Sequence, residues 1–241
     1  MKNQLNLVIN GKGGVGKSFF AVNFVQYLKD RQVPHIAFDT DNENSTLKRF
    51  HPDATFLNLG KPRDLDSMFH ALEKHPLVVV DCRAASTGPL FDYFAEVAAD
   101  EVLRHYNASL TLIMPVNHEA DSVDQVQRIV DKFGSHARYV IIRNAVHTDS
   151  FTLYDESEVR DRLMNQLQAC ELVMSRLQGW LIEALNMINL SPTAASRDAR
   201  FSILDRQRLS IWQRHLYGQM DLAEEFLRPG GLENKSNENH R

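Results

Sequence analysis

The sequence predicts an α/β chain: a mostly parallel twisted sheet with helices on both faces, continued by a helical C-terminal portion. Three observations predict it. Short apolar runs at Leu5–Ile9, His35–Phe38, Leu77–Val80, Leu110–Met114 and Tyr139–Ile142 alternate with amphipathic helical stretches, the pattern of a parallel sheet covered on both sides. A glycine-rich octapeptide, Gly11-Lys12-Gly13-Gly14-Val15-Gly16-Lys17-Ser18, joins the first run to the first helix. Carboxylates follow the second and third runs, where open parallel sheets bind their ligands.

Taken in order, the first run leads into a helix whose apolar stripe is Phe20, Phe24, Tyr27 and Leu28. A second stripe, Leu65, Met68, Phe69 and Leu72, precedes the third run, and a third, Val123, Val126, Ile129, Val130 and Phe133, precedes the fifth. Beyond Asn144 the pattern turns mostly helical, with Val159, Leu163 and Leu167 on one stripe and a short edge-strand candidate at Glu171–Met174. Further helices are expected over Leu177–Ile188 and from about Ile203 to Leu227.

A chain of 241 residues buries one substantial core, so residues 1–228 read as a single domain. Residues 229–241 are polar and lack aromatics, the composition of a disordered tail. Hydrophobic residues at 43 % and charged residues at 24 % are ordinary for a globular protein. No apolar run approaches the ~20 residues that cross a bilayer, which excludes an integral membrane segment. The start, Met1-Lys2-Asn3-Gln4, leads directly into a strand rather than a signal peptide, and the expected location is cytoplasmic. Cys82 and Cys170 are too few for a disulfide framework and lack zinc-site spacing; both read as small buried residues. A net charge of −4 argues against a surface wholly built for nucleic acid, and leaves room for a local basic patch.

The octapeptide matches G-x-x-x-x-G-K-[ST], the phosphate loop of P-loop NTPases. Glycines let several backbone N–H groups approach the same phosphate oxygens, and the following helix adds its N-terminal donors and dipole. Lys17 then reaches the β- and γ-phosphates and the Ser18 hydroxyl ligates Mg²⁺. The competing reading is a glycine-rich turn with no ligand. Lys12 weighs against it, because a second lysine is superfluous for wrapping one phosphate chain and needs an anion of its own.

These residues resemble the deviant Walker A motif of the MinD/ParA ATPases. The resemblance implies an ATP-dependent homodimer in which Lys12 crosses to the phosphates bound by the partner subunit. It also gives roles to residues after the strands. Asp39-Thr40-Asp41 is similar to the family's D-x-D element, so Asp41 orients the attacking water and Asp39 stands in the outer shell of Mg²⁺. In an extended segment the two carboxylates point the same way. A solvated acidic turn is the alternative, and Asn42-Glu43 departs from the family's usual Pro-Gln. Asp81, at the end of an apolar strand, has the Walker B shape and faces the Mg²⁺ shell; Cys82-Arg83-Ala84-Ala85-Ser86 lacks the proline common in that switch. Pro115 shapes a strand end and is assigned no chemistry. After the fifth run, Asn144-Ala145-Val146-His147 lacks the Asn-Lys-x-Asp of guanine readers, which favours ATP. The resemblance lets Asn144 contact adenine; a turn-forming asparagine is the alternative.

The similarity to the broad family covers roughly residues 5–145. The switch sequence, Tyr154-Asp155-Glu156-Ser157 and Trp212 look most similar to plasmid-borne members serving conjugal transfer or plasmid stability. Cluster-bearing iron proteins of the superfamily need two cysteines in particular loops and are disfavoured. Membrane-binding members need a basic amphipathic C-terminal helix, which the tail lacks. Arg197, Arg200, Arg206, Arg208 and Arg214 could form a DNA surface or a solvated helix face, diluted by Asp198 and Asp205. Three functions follow: a dimerising ATPase that positions or delivers plasmid DNA or a conjugation or partition complex, directly or through a DNA-binding adaptor; a dethiobiotin-synthetase-like ligase; and a nucleotide-binding scaffold with little turnover.

Overall fold

The computed structural model describes residues 2–146 and 148–229. In chain order the elements are β1 (Asn3–Val8), α1 (Lys17–Asp30), β2 (Ile36–Asp39), α2 (Thr46–Phe50), β3 (Thr55–Phe56), α3 (Pro62–His70), β4 (Leu77–Asp81), α4 (Thr87–Glu96), α5 (Ala99–His105), β5 (Ala108–Val116), α6 (Ala120–Phe133), β6 (Arg138–Asn144), α7 (Thr152–Asp155), α8 (Glu158–Asn165), β7 (Cys170–Met174), α9 (Gly179–Ile188), α10 (Pro192–Ala195), α11 (Ile203–Leu222) and α12 (Glu224–Leu227). Single turns of 3₁₀ helix follow α3 and α6.

The strands form one seven-stranded sheet in the order β3-β2-β4-β1-β5-β6-β7, every pair parallel. β1 lies at the centre, with Leu5 opposite Val78 on one side and Leu110 on the other. Because successive side chains of a strand face opposite ways, the apolar runs feed two cores at once. Leu5, Leu7, Val78, Val80, Leu112 and Ile141 pack on one face under α3 to α8. Val8, Val79, Ile113, Val140 and Ile142 pack on the other under α1, α2, α9, α10, α11 and α12. The three stripes expected on α1, α3 with its following 3₁₀ turn, and α6 are all buried.

Element starts have local causes. Pro62 occupies the first turn of α3, where a missing N–H is harmless. Ser157, Ser191 and Ser202 cap α8, α10 and α11 by accepting from Arg160, Ala194 and Asp205 N–H groups. The helix expected from Ile203 to Leu227 is interrupted at Ala223, dividing α11 from α12. That break directs the end of α12 onto the central strand. The Gln4 side chain donates to Phe226 O and the Asn6 amide to Leu227 O, while Thr111 Oγ1 also donates to Phe226 O. These buried polar residues in the sheet satisfy helix-end carbonyls that otherwise lack partners.

β7 forms the expected edge strand, and the opposite edge, β3, was not anticipated; a two-residue strand carries no periodicity to read. Cys82 is buried as expected, whereas Cys170 is only half-buried. Among the described residues no helix is long and apolar enough to cross a membrane. The expectation of a disordered tail over residues 229–241 falls, apart from Pro229, outside the described residues.

Candidate nucleotide-binding site

β1, β4 and β2 deliver their carboxyl ends side by side, and the loops that follow meet above them. Gly14 and Gly16 have φ of 75° and 99°, a backbone region open to glycine at little cost. At Gly16 there is also no room for a side chain: a Cβ would lie 2.4 Å from the Asn144 amide nitrogen. Immediately after this turn α1 begins, so its first N–H groups face the loop.

Two buried side chains brace the site, Asn10 at the loop and Thr40 at the strand ends beside it. Asn10 donates to Pro115 O and Ser122 O, and its carbonyl accepts from Lys12 N–H. Thr40 donates to Asp81 O and accepts from Arg83 N–H, clipping the ends of β2 and β4 together. Neither was anticipated. Asn10 borders the motif and could have been suspected as a brace; Thr40 has no signal beyond lying between two aspartates.

Lys17 is buried, and its ammonium donates to Lys12 O at 2.7 Å. Desolvation lowers its pKa, with the Asp81 carboxylate opposing. Asp81 is 2 % exposed. Desolvation is the largest influence on it, and with repulsion from Asp39 it pushes the pKa up to about 8 against the pull of the Ser18 hydroxyl and Lys17. One carboxylate oxygen, Oδ1, has no hydrogen-bond partner at all. An orphaned, buried carboxyl oxygen beside a serine hydroxyl fits a small divalent cation, whose charge would take the place of the proton. Mg²⁺ is usually held by one or two carboxylates together with phosphates and waters.

The segment after β2 is not extended through both aspartates, and each is held by its own hydrogen bonds. The strand ends at Asp39 and the chain turns. Asp39 is buried, with one oxygen accepting from Asp41 N–H and the other from Lys48 N–H. Burial raises its pKa, partly offset by those bonds. Asp41 accepts from the N–H groups of Glu43 and Asn44 and from the Asn44 amide. Burial works against ionisation of Asp41, but these bonds prevail and its pKa is lowered.

A cavity of about 420 Å³ opens above the loop, a size suited to a small ligand. Of the residues singled out in the sequence, Gly13, Gly14, Gly16, Lys17, Ser18, Asp41 and Asn144 line it. Gly11, Lys12, Val15, Asp39 and Asp81 do not. Lys12 turns outward, its ammonium 2.7 Å from Glu119 and 3.7 Å from Asp121 at the start of α6. The Glu119 hydrogen bond is the main reason its pKa is raised. Beyond the loop the cavity continues over α1 (Phe19, Val22) between α2 (Phe50) and α9 (Ile182, Asn186). None of these residues was anticipated, because the sequence does not say which helices flank α1.

A parallel sheet with a phosphate loop after its central strand and an acidic residue at the end of the neighbouring one defines a P-loop nucleotide-binding protein. The chain belongs to the CobQ/CobB/MinD/ParA nucleotide binding domain family, whose profile matches residues 7–229. It is similar to Protein TraL of Escherichia coli, 24 % identical over 239 residues, covering 91 % of this chain and 98 % of TraL. Protein MobD of Acidithiobacillus ferrooxidans is 22 % identical over 167 residues, covering 66 % of this chain and 72 % of MobD. Two solved MinD proteins share the fold. The cell division protein of Aquifex aeolicus has a TM-score of 0.51 at 16 % identity, covering 90 % of this chain and 97 % of its own. The septum site-determining protein of Pyrococcus horikoshii, solved with Mg-ADP, has a TM-score of 0.56 at 14 % identity, covering 95 % and 100 %.

Proposed function

We propose that this protein binds ATP with Mg²⁺, dimerises on it and hydrolyses it, and that the cycle positions or delivers plasmid DNA or a conjugation or partition complex in the cytoplasm. The observation that carries this reading is the convergence of loop glycines, Lys17, Ser18 and Asp41 on one cavity, with the Asp81 carboxylate buried behind them. The loop N–H groups and Lys17 hold the phosphates, and Ser18 with Asp81 would hold Mg²⁺, which supplies charge neutralisation for phosphoryl transfer. Asp41 stays ionised and reaches the cavity, so it can orient a water. Asn144, in the cavity wall, keeps the loop in shape through its bond to Val15 O. Lys12 is outside the cavity, which suits a residue that acts on the partner subunit's nucleotide rather than its own.

The resemblance to TraL and MobD supports the plasmid-transfer assignment. Arg200 and Arg208 are paired with Asp198 and Asp205, which leaves Arg197, Arg206 and Arg214 as the arginines of that cluster outside an ion pair among the described residues and the better candidates for DNA phosphates.

Gel filtration with ATP and Mg²⁺, with and without plasmid DNA, tests the reading. The expected result is an ATP-dependent dimer that Lys12→Ala loses, and turnover that Asp41→Ala loses while ADP binding persists. Retention of the dimer and of normal turnover by Lys12→Ala would remove the cross-subunit role. Turnover that requires a metabolite and ignores DNA would favour the ligase; binding without turnover would favour the scaffold.

A further inference from the structure

The segment after α10 and the first half of α11 border another cavity, of about 330 Å³, that shares no residue with the nucleotide cavity. Arg197 lines it from just beyond α10, and Arg206, Ser210 and Gln213 line it from α11. The three α11 residues recur at i, i+4 and i+7, so they stand on one side of that helix. Apart from Ile203 the lining is polar, and among the described residues no carboxylate belongs to it. The acidic residues nearest in sequence, Asp198 and Asp205, are paired with Arg200 and Arg208, which lie outside the lining. Ser196 also faces the cavity, but its hydroxyl already donates to Thr193 O. Arg206 is different: its Nε–H is buried and has no hydrogen-bond partner among the described residues.

A buried guanidinium N–H without an acceptor has lost its water and gained nothing in exchange, and two guanidiniums on one cavity repel each other. An anion between them removes both penalties. Phosphate matches the donors best: its oxygens accept in pairs from a planar guanidinium fork, and its charge can be shared by two arginines. The cavity is at the small end of the range for ligand sites, with room for a phosphate and little of what carries it. We propose that Arg197 and Arg206 hold a single phosphate group, with Ser210 as a further donor, at a site separate from the phosphate loop. The site goes beyond the nucleotide reading, and it narrows the DNA reading from a charged helix face to one pocket. Its phosphate comes from a free phosphomonoester or from a DNA backbone.

The proton–nitrogen correlation spectrum of the full chain, saturated with ADP and Mg²⁺ to fill the loop, tests this at one atom. The Arg206 Nε–H signal is identified by its loss in Arg206→Lys. Glycerol phosphate and a short DNA duplex are titrated separately, against sodium chloride at equal ionic strength. At least one of the two should move the signal saturably, and chloride should leave it in place. Arg197→Gln should weaken that response on the order of tenfold. A response to glycerol phosphate with no binding of DNA keeps the site and removes the DNA reading. DNA that binds without moving the signal keeps the DNA reading and overturns the site. A signal that neither probe moves, that chloride moves equally, or that responds undiminished in Arg197→Gln overturns it as well. Because the signal belongs to Arg206, failure of ADP to bind would sink the nucleotide reading and leave this test intact.

Discussion

Lys12 and Lys17 sit five positions apart on one loop and live in opposite environments. Lys17 is buried against its own loop, and desolvation depresses its pKa; Lys12 is solvated at the start of α6, and Glu119 raises its pKa. The inner side of the loop thus holds an acid and an amine that burial pushes towards their neutral forms, with Asp81 Oδ1 left without a partner. The outer side is relaxed, with charges matched in water. An incompletely satisfied interior is where a charged ligand gains most, because burial magnifies each charge interaction that it completes. A matched exterior pair is worth little to folding and can be exchanged for another partner at small loss.

The contrast can be broken most sharply at Gly16. Gly16→Ala forces a positive φ on a residue with a side chain and drives its Cβ into the Asn144 amide. It should destabilise the fold by about 1–3 kcal/mol and abolish ADP binding. Urea denaturation beside calorimetry reads both; a variant of parental stability with intact binding would show that the inner side tolerates rearrangement.

Asp81→Asn sharpens the inner side next. The folded pKa of Asp81 is raised from 3.8 to about 8, so the folded state holds that proton more tightly than the unfolded chain. Its stabilising share is complete below about pH 4 and is lost as pH rises towards about 8. The parent, without nucleotide, should lose stability across that window, and Asp81→Asn should lose less, ending about 1–3 kcal/mol ahead at pH 8. Parallel stability curves for the two proteins would mean that Asp81 is not penalised by burial. The smallest effect belongs to the outer side. Glu119→Gln should leave the melting temperature unchanged and lower the ATP concentration at which dimers form, since Lys12 is released from its intrachain partner. A clear fall in melting temperature would make that ion pair structural.

Much of this molecule was readable beforehand where a short-range pattern carries the information. The alternation of apolar runs and helical stripes identified β1, β2, β4, β5 and β6, because strand and helix periodicities are local properties of the chain. The phosphate loop was readable for the same reason: its chemistry is carried by adjacent residues. The two-residue β3 and the break at Ala223 were not, since neither has enough length to show a period. Gln4 and Asn6 look misplaced in a central strand until α12 brings carbonyls to them.

The amino-acid order alone determined the parallel α/β class, the glycine-rich octapeptide between β1 and α1 and the identity of the acidic residues after β2 and β4. Only the tertiary structure decided what those residues do with their hydrogen-bonding atoms: that Asp39 and Asp41 each close their own turn, that Asp81 keeps an oxygen free, and that Lys12 faces α6. The reason is physical. Residue type sets which hydrogen bonds a side chain can make, but distant segments, brought close by the sheet order and the helix packing, set which of them are already made.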